Sequence, residues 1–165
     1  KEEYIKKNPQ ALKDLSEQLN SLQKLWPVGL PVGVIHGDMF PDNVFFRRGR
    51  VSGVIDFYFA CTDAFAYDIA ICINAWCFEP DFSFNIAKAR RMLEAYQKVR
   101  VLDANEIDAF PILAQGAAMR FLLTRLYDWL NTPSAALVTC KDPMEFHAKL
   151  RFHTGVSDAR AYGLD

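Results

Sequence analysis

The stretch that decides the reading is His36-Gly37-Asp38-Met39-Phe40-Pro41-Asp42-Asn43, followed directly by Val44-Phe45-Phe46 and, one turn later, by Val54-Ile55-Asp56-Phe57. Residues 31–35, 44–46 and 50–55 are short β-branched or aromatic runs, and Arg47-Arg48-Gly49 between the last two is a hairpin turn signal. Three side chains with oxygen donors, Asp38, Asn43 and Asp56, therefore fall on loops at the ends of apolar strands. Loops held by a rigid scaffold are where chemistry concentrates. Pro41-Asp42-Asn43 taken alone is also an ordinary turn sequence. What favours chemistry is the ordered recurrence of three such positions, each beside an apolar run.

Working outward, residues 9–26 place Leu12, Leu15, Leu19, Leu22 and Leu25 at three- and four-residue spacing, which predicts an amphipathic helix ended by Pro27 and Gly29. Residues 64–78 are almost continuously apolar and suit a helix buried on most sides. A further amphipathic helix is expected over 83–100, with Lys and Arg on its solvated face. Asp103 followed by Glu106 reads as a capping box, and Pro111 should end or kink the helix it opens before a long run to Asn131. The last helix spans about 143–153. The sum is mostly helix with a small sheet, so the class is α+β.

The chain has 165 residues, 51% of them hydrophobic and 24% charged, which is the composition of an ordinary globular domain. Nineteen basic against twenty acidic residues leave a formal charge of −1, which excludes the strongly basic surface of a nucleic-acid or membrane-surface binder. Cys61, Cys72, Cys77 and Cys140 contain no C-x-x-C pair and read as reduced cytoplasmic thiols. His147 and His153 do not share a helix face, and Cys72 and Cys77 lack zinc-ligand spacing, so these four are assigned to packing. No apolar run reaches the roughly 18 residues needed to span a bilayer. Residues 1–7 lack the apolar stretch of a signal peptide.

Phosphoryl transfer from ATP needs a carboxylate that orients an attacking hydroxyl and accepts its proton, together with oxygen ligands that hold Mg²⁺ against the phosphates. Asp38, Asn43 and Asp56 supply that set, and Asp38 and Asn43 have the spacing of the kinase catalytic loop. With His36-Gly37-Asp38 in place of H-R-D, the chain resembles the kinase-like phosphotransferases of small molecules, the aminoglycoside and choline kinase group. The stretches 55–61, 67–71, Asn74, Trp76-Cys77 and 116–129 are most similar to its homoserine-phosphorylating branch. The resemblance runs from about His36 to His153 and implies the helical C-terminal lobe of a two-lobed kinase. It implies that Asp38 is the catalytic base, that Asn43 and Asp56 ligate Mg²⁺, and that Phe45 and Ile55 lie under the adenine of ATP. It further implies that Asp68 and a buried His36 support the loop, although Asp68 has a second reading as an acid favoured at a helix N-terminus. Asp42 and Asp63 are given only turn and cap roles.

Gly116, Arg120, Thr124 and Tyr127 recur on one helix face that suits a pocket wall. The expected acceptor carries a carboxylate, so Arg120 first and Arg125 second are candidates for its recognition. The alternatives are an ion pair of Arg125 with Asp128, or of Arg120 with an acid of the catalytic loop. The chain contains no glycine-rich phosphate loop and no V-A-I-K lysine. Residues 1–165 are therefore expected to be one domain that requires a separate nucleotide lobe, is inactive alone and exposes an apolar face toward that lobe. The expected reaction is phosphorylation of L-homoserine, an early step of threonine biosynthesis. Alternatives are a kinase for an aminoglycoside, choline or methylthioribose, a non-catalytic helical interaction domain, and a Mg²⁺-dependent phosphohydrolase.

Overall fold

A computed structural model describes residues 9–133, 137 and 140–164; the start at 1–7 and the Leu12 side chain lie outside what it describes. The described elements are α1 (Pro9–Leu25), β1 (Val32–Ile35), β2 (Val44–Arg47), β3 (Arg50–Val54), β4 (Cys61–Ala64), α2 (Phe65–Trp76), α3 (Ile86–Gln97), α4 (Ala104–Asn131) and α5 (Pro143–Thr154). Short 3₁₀ turns lie at Pro41–Asn43, Phe57–Phe59 and Ala159–Tyr162.

The expected small sheet is two separate antiparallel ribbons. In one, β2 and β3 form the predicted hairpin, with Val44 opposite Val54, Arg47 opposite Arg50 and a bulge at Phe45/Phe46. Its turn residues Arg48 and Gly49 both have positive φ, as a tight two-residue hairpin turn demands. The other ribbon pairs β1 with β4, Val32 facing Ala64 and Ile35 facing Cys61. Strand β4 was not foreseen, because Cys61-Thr62-Asp63-Ala64 carries no apolar alternation and becomes a strand only through its partner. Its consequence is large: β1 and β4 clasp the two ends of residues 36–60, the segment that carries Asp38, Asn43 and Asp56.

The helices follow local signals. Asp103 and Glu106 form the reciprocal capping box that opens α4. The Asn85 side chain accepts from the Lys88 N–H at 3.0 Å and so sets the start of α3, three residues later than the expected run. Of the two outcomes expected at Pro111, an end or a kink, the end does not occur: α4 continues through it to Asn131. Proline removes one backbone bond there. The burial of Phe110, Leu113, Ala114, Ala117 and Ala118, as α4 packs on α1, α2 and α5, outweighs that loss.

Where α2, α4 and α5 meet, a polar cluster is sealed into the core. Asn74 Nδ2 donates to the Ala70 and Ala114 carbonyls at 3.1 and 3.0 Å. Its Oδ1 must then accept from His153 Nε2 at 3.1 Å, which leaves Nδ1 to accept from the Tyr162 hydroxyl at 2.8 Å. Burial, aided by the nearby Lys149 cation, pushes His153 down to about 3, so it is neutral. Lys149 donates to the Asn74 carbonyl and pairs with Glu145. His153 and Cys77 are thus core groups, and burial holds the Cys77 thiol up at about 12. No helix among the described residues is long and apolar enough to cross a membrane.

Candidate active site

β1 ends by delivering His36-Gly37-Asp38 into a loop whose backbone is held from several sides. Asp68, in the first turn of α2, accepts from the His36 N–H with Oδ2 at 3.1 Å and from the Gly37 N–H with Oδ1 at 2.9 Å. The position at a helix start and the anchoring of the loop are therefore combined in one residue. His36 is buried; its Nδ1 accepts from the Asp38 N–H at 3.2 Å, so its Nε2 carries the proton donated to the Ile55 carbonyl at 2.9 Å. That single ring ties the Asp38 loop to the residue before Asp56.

Asn43 ends the Pro41–Asn43 turn and is buried. Its Nδ2 donates to the Asp38 main-chain carbonyl at 2.8 Å and to Asp38 Oδ2 at 3.2 Å. The Asn43 carbonyl accepts from the Ile55 N–H at 3.0 Å. Asp56 follows with a left-handed backbone, φ 64 and ψ 63, a conformation aspartate tolerates better than most residues, and it is exposed. The Asp38 carboxyl is held above its usual value by partial burial, to which the Asp56 charge adds; the Asn43 amide, Arg120 and His36 oppose the rise. The Asp56 charge therefore reaches Asp38.

This donor set fits a hard divalent cation. With Asn43 Nδ2 donating to Asp38, its Oδ1 remains as an acceptor, and carboxylate and amide oxygens are the ligands Mg²⁺ takes. Asn43 and Asp56 are the residues that would hold it. Among the described residues no group of three His, Cys, Asp or Glu side chains could hold a metal ion.

Phe45 on β2 and Ile55 just after β3 are about half exposed, 52% and 47%, on the hairpin that joins Asn43 to Asp56. Val32, Val34, Phe46 and Phe57 are exposed in the same part of the chain. Of the predicted pocket face, Gly116 and Arg120 line a groove of about 490 Å³ between α1 and α4, together with Leu19, Trp26 and Met119. Thr124 and Tyr127 are exposed and do not line that groove, so the face is narrower than its spacing suggests. Arg120 donates through Nη1 to the Gly37 carbonyl at 2.7 Å. Arg125 is buried, pairs with Glu145 at 2.6 Å and donates to the Asp142 carbonyl at 3.3 Å. It takes a partner on α5 rather than Asp128 one turn on, and its guanidinium is committed to joining α4 to α5.

Asp42 pairs with Lys141 at 2.8 Å. Asp63 Oδ1 accepts from the adjacent Ala64 N–H at 2.7 Å, inside β4 rather than as a helix cap. Sequence reasoning missed Trp76, whose indole Nε1 donates to the Met39 carbonyl at 2.7 Å and whose ring packs on Phe46. The signal was a tryptophan at the end of a buried helix, whose N–H requires an acceptor.

Comparison with known proteins identifies the family and the fold. The pattern of the phosphotransferase enzyme family (APH) matches residues 1–102. The chain is 60% identical over 157 residues to the homoserine kinase of Paramagnetospirillum magneticum, covering 92% of this chain and 48% of that protein. It is 61% identical over 151 residues to the homoserine kinase of Rhodospirillum rubrum, with 92% and 47% covered. The chain thus spans about half the length of the curated relatives it matches. Among solved structures, an ethanolamine kinase of Plasmodium vivax superposes with a TM-score of 0.57 at 17% identity, covering 88% of this chain and 40% of that one. At that identity the likeness concerns the fold, which is kinase-like and here mostly helical.

Proposed function

The chain belongs to the phosphotransferase enzyme family, and we propose that it forms the hydroxyl-activating, cation-holding lobe of an ATP-dependent homoserine kinase. In this reading Asp38 orients the substrate hydroxyl and accepts its proton. The acceptor oxygen bonds to the γ-phosphorus as the bond to the bridging oxygen breaks, and ADP leaves with that electron pair. Asn43 Oδ1 and the Asp56 carboxylate are the Mg²⁺ ligands, and the cation when bound supplies neutralisation of phosphate oxygens. Phe45 and Ile55 offer apolar surface to the adenine. The glycine-rich loop and strand lysine that this chemistry requires would come from a nucleotide lobe outside these 165 residues, facing the exposed apolar residues of β1 and the hairpin. The enzyme would act in the cytoplasm, early in threonine biosynthesis.

The observation that carries the reading is the bonding of Asn43 to both the carbonyl and the carboxylate of Asp38, while its own carbonyl receives the N–H of Ile55 beside Asp56. Homoserine is preferred as acceptor because homoserine kinases are among the relatives about 60% identical to this chain. The test is ADP release by the complete enzyme with L-homoserine, choline, an aminoglycoside, methylthioribose or no acceptor. Turnover confined to L-homoserine and lost in Asp38→Ala is expected. Equal turnover with another alcohol would overturn the substrate, and phosphate release without any acceptor would overturn the transferase reading.

A further inference from the structure

Glycine at 37 gives the catalytic loop a weakness that the rest of the fold has to correct. Gly37 sits at φ +74 with the Phe59 carbonyl against it, so close that an added Cβ would lie 2.7 Å from that oxygen. Glycine is required there, but glycine also crosses between backbone basins more readily than any other residue. The Gly37–Asp38 peptide is the plane most exposed to this freedom, and its orientation decides where Asp38 points. Two groups hold that plane. Its N–H is taken by His36 Nδ1 at 3.2 Å, and its carbonyl is taken by Arg120 Nη1 at 2.7 Å.

Arg120 is built to keep that bond. It comes from the middle of α4, 83 residues downstream, on the longest helix described. Its guanidinium lies over the rings of Phe121 at 4.6 Å and Phe59 at 5.1 Å, and the buried Tyr67 hydroxyl lies beside it. Phe59 is the residue whose carbonyl abuts Gly37, so one arginine touches the turn after Asp56 and the peptide before Asp38. A planar, pre-organised fork suits this double contact; a lysine could supply one bond and no stacking plane.

We propose that Arg120 is a positioning residue: by holding the carbonyl of the Gly37–Asp38 peptide it fixes the direction in which Asp38 presents its carboxylate to the acceptor hydroxyl. This assigns the guanidinium to the protein's own loop rather than to the carboxylate of the substrate. It rests on the reading of Asp38 as the group that receives the hydroxyl proton.

The experiment compares Arg120→Met, Arg120→Lys and Asp38→Asn in the complete enzyme, with ADP release measured over full ranges of ATP and L-homoserine. Methionine keeps an unbranched stem between the two phenylalanines and removes both charge and donor. The expected result is a fall in kcat of about 30- to 100-fold with both KM values within about threefold of wild type. Lysine should recover about tenfold of that loss, because it restores one donor to the Gly37 carbonyl. A rise in the L-homoserine KM with kcat intact at saturation would overturn the proposal and return Arg120 to substrate recognition. A lowered melting temperature with kcat unchanged would overturn it in favour of packing alone. Should Arg120→Met not fold, Arg120→Lys decides: kcat equal to wild type overturns the proposal, and a reduced kcat at unchanged KM supports it. Asp38→Asn separates the premise from the proposal, since turnover at the wild-type rate in that variant removes Asp38 as the base whatever Arg120 does.

Discussion

Gly37→Ala isolates how tightly the two carboxylates are mechanically joined. Two costs are superimposed at this site. An alanine at φ +74 pays the left-handed penalty of about 1–2 kcal/mol. Its Cβ would also stand 2.7 Å from a backbone oxygen, that of Phe59, which no side-chain rotation relieves. Overpacking of that kind costs about 1–3 kcal/mol more. Relief requires either the Gly37 peptide or the Phe57–Phe59 turn to move, and these immediately adjoin Asp38 and Asp56 respectively. Either movement separates the two carboxylates, and a misplacement near 1 Å costs roughly 10²-fold in rate. Gly49→Ala is the matched control: φ is +73, but nothing lies within 4 Å of the added Cβ, so only the conformational penalty applies. Urea denaturation and ADP release in the complete enzyme should therefore diverge between the two. Gly49→Ala loses about 1–2 kcal/mol of stability with kcat retained, whereas Gly37→Ala loses more stability and roughly two orders of magnitude in kcat. A Gly37→Ala enzyme with kcat within threefold of wild type would refute the mechanical linkage.

Two other measurements test the core and the long helix. His153 is neutral in the fold, held down to about 3 against an ordinary 6.5, so the unfolded chain binds the extra proton between those values. Its contribution is complete above pH 6.5 and is lost as pH falls toward 3, at about 1.4 kcal/mol per unit. His153→Gln keeps a donor for Asn74 Oδ1 and abolishes the titration. Unfolding free energies measured at pH 7 and 4.5 should fall by about 3 kcal/mol more in wild type than in this variant, and parallel losses would refute the assignment. Arg125→Met leaves Glu145 with Lys149 as its remaining cation and should destabilise by about 1–3 kcal/mol, with the L-homoserine KM unchanged; a raised KM would place Arg125 at the substrate after all.

What could be read from the sequence is what depends on neighbours in the chain. The capping box of Asp103 and Glu106, the hairpin turn at Arg48-Gly49 and the helix α1 each need only local spacing; the structure forms all three, with Leu15, Leu19 and Leu22 of the α1 stripe turned to the core and Leu25 exposed. The loop Asp38-x-x-x-x-Asn43 was legible for the same reason, since a tight turn brings the ends of six residues together without help. Apart from Asp68, whose hold on the loop came from the family resemblance, what required a distant partner was illegible. β4 exists because β1 pairs with it; Trp76 matters because the Met39 carbonyl lies under it. Arg120 and Arg125, five residues apart on one helix and equivalent as charges in a sequence, part company because one meets Gly37 and the other Glu145.

That division bears on how such a site works. The ligating and proton-accepting atoms are encoded in about twenty consecutive residues, from His36 to Asp56, and bonds of His36 and Asn43 inside that segment join them to one another, but those bonds alone do not anchor the segment to the body of the fold. Glycine at 37 makes the loop soft, and the hairpin between Asn43 and Asp56 has one bulged strand and large apolar side chains left in solvent. Rigidity is imported from the helical body: Asp68 grips the N–H groups of His36 and Gly37 from α2, Trp76 grips Met39 from the other end of the same helix, and Arg120 grips Gly37 from α4. The buried cluster of Asn74, His153 and Tyr162 locks α2 against α4 and α5, which keeps those three grips in register. A substitution in that cluster, remote from Asp38 and harmless to every ligand atom, is thereby expected to loosen the site through the helices, with kcat falling before the fold is lost.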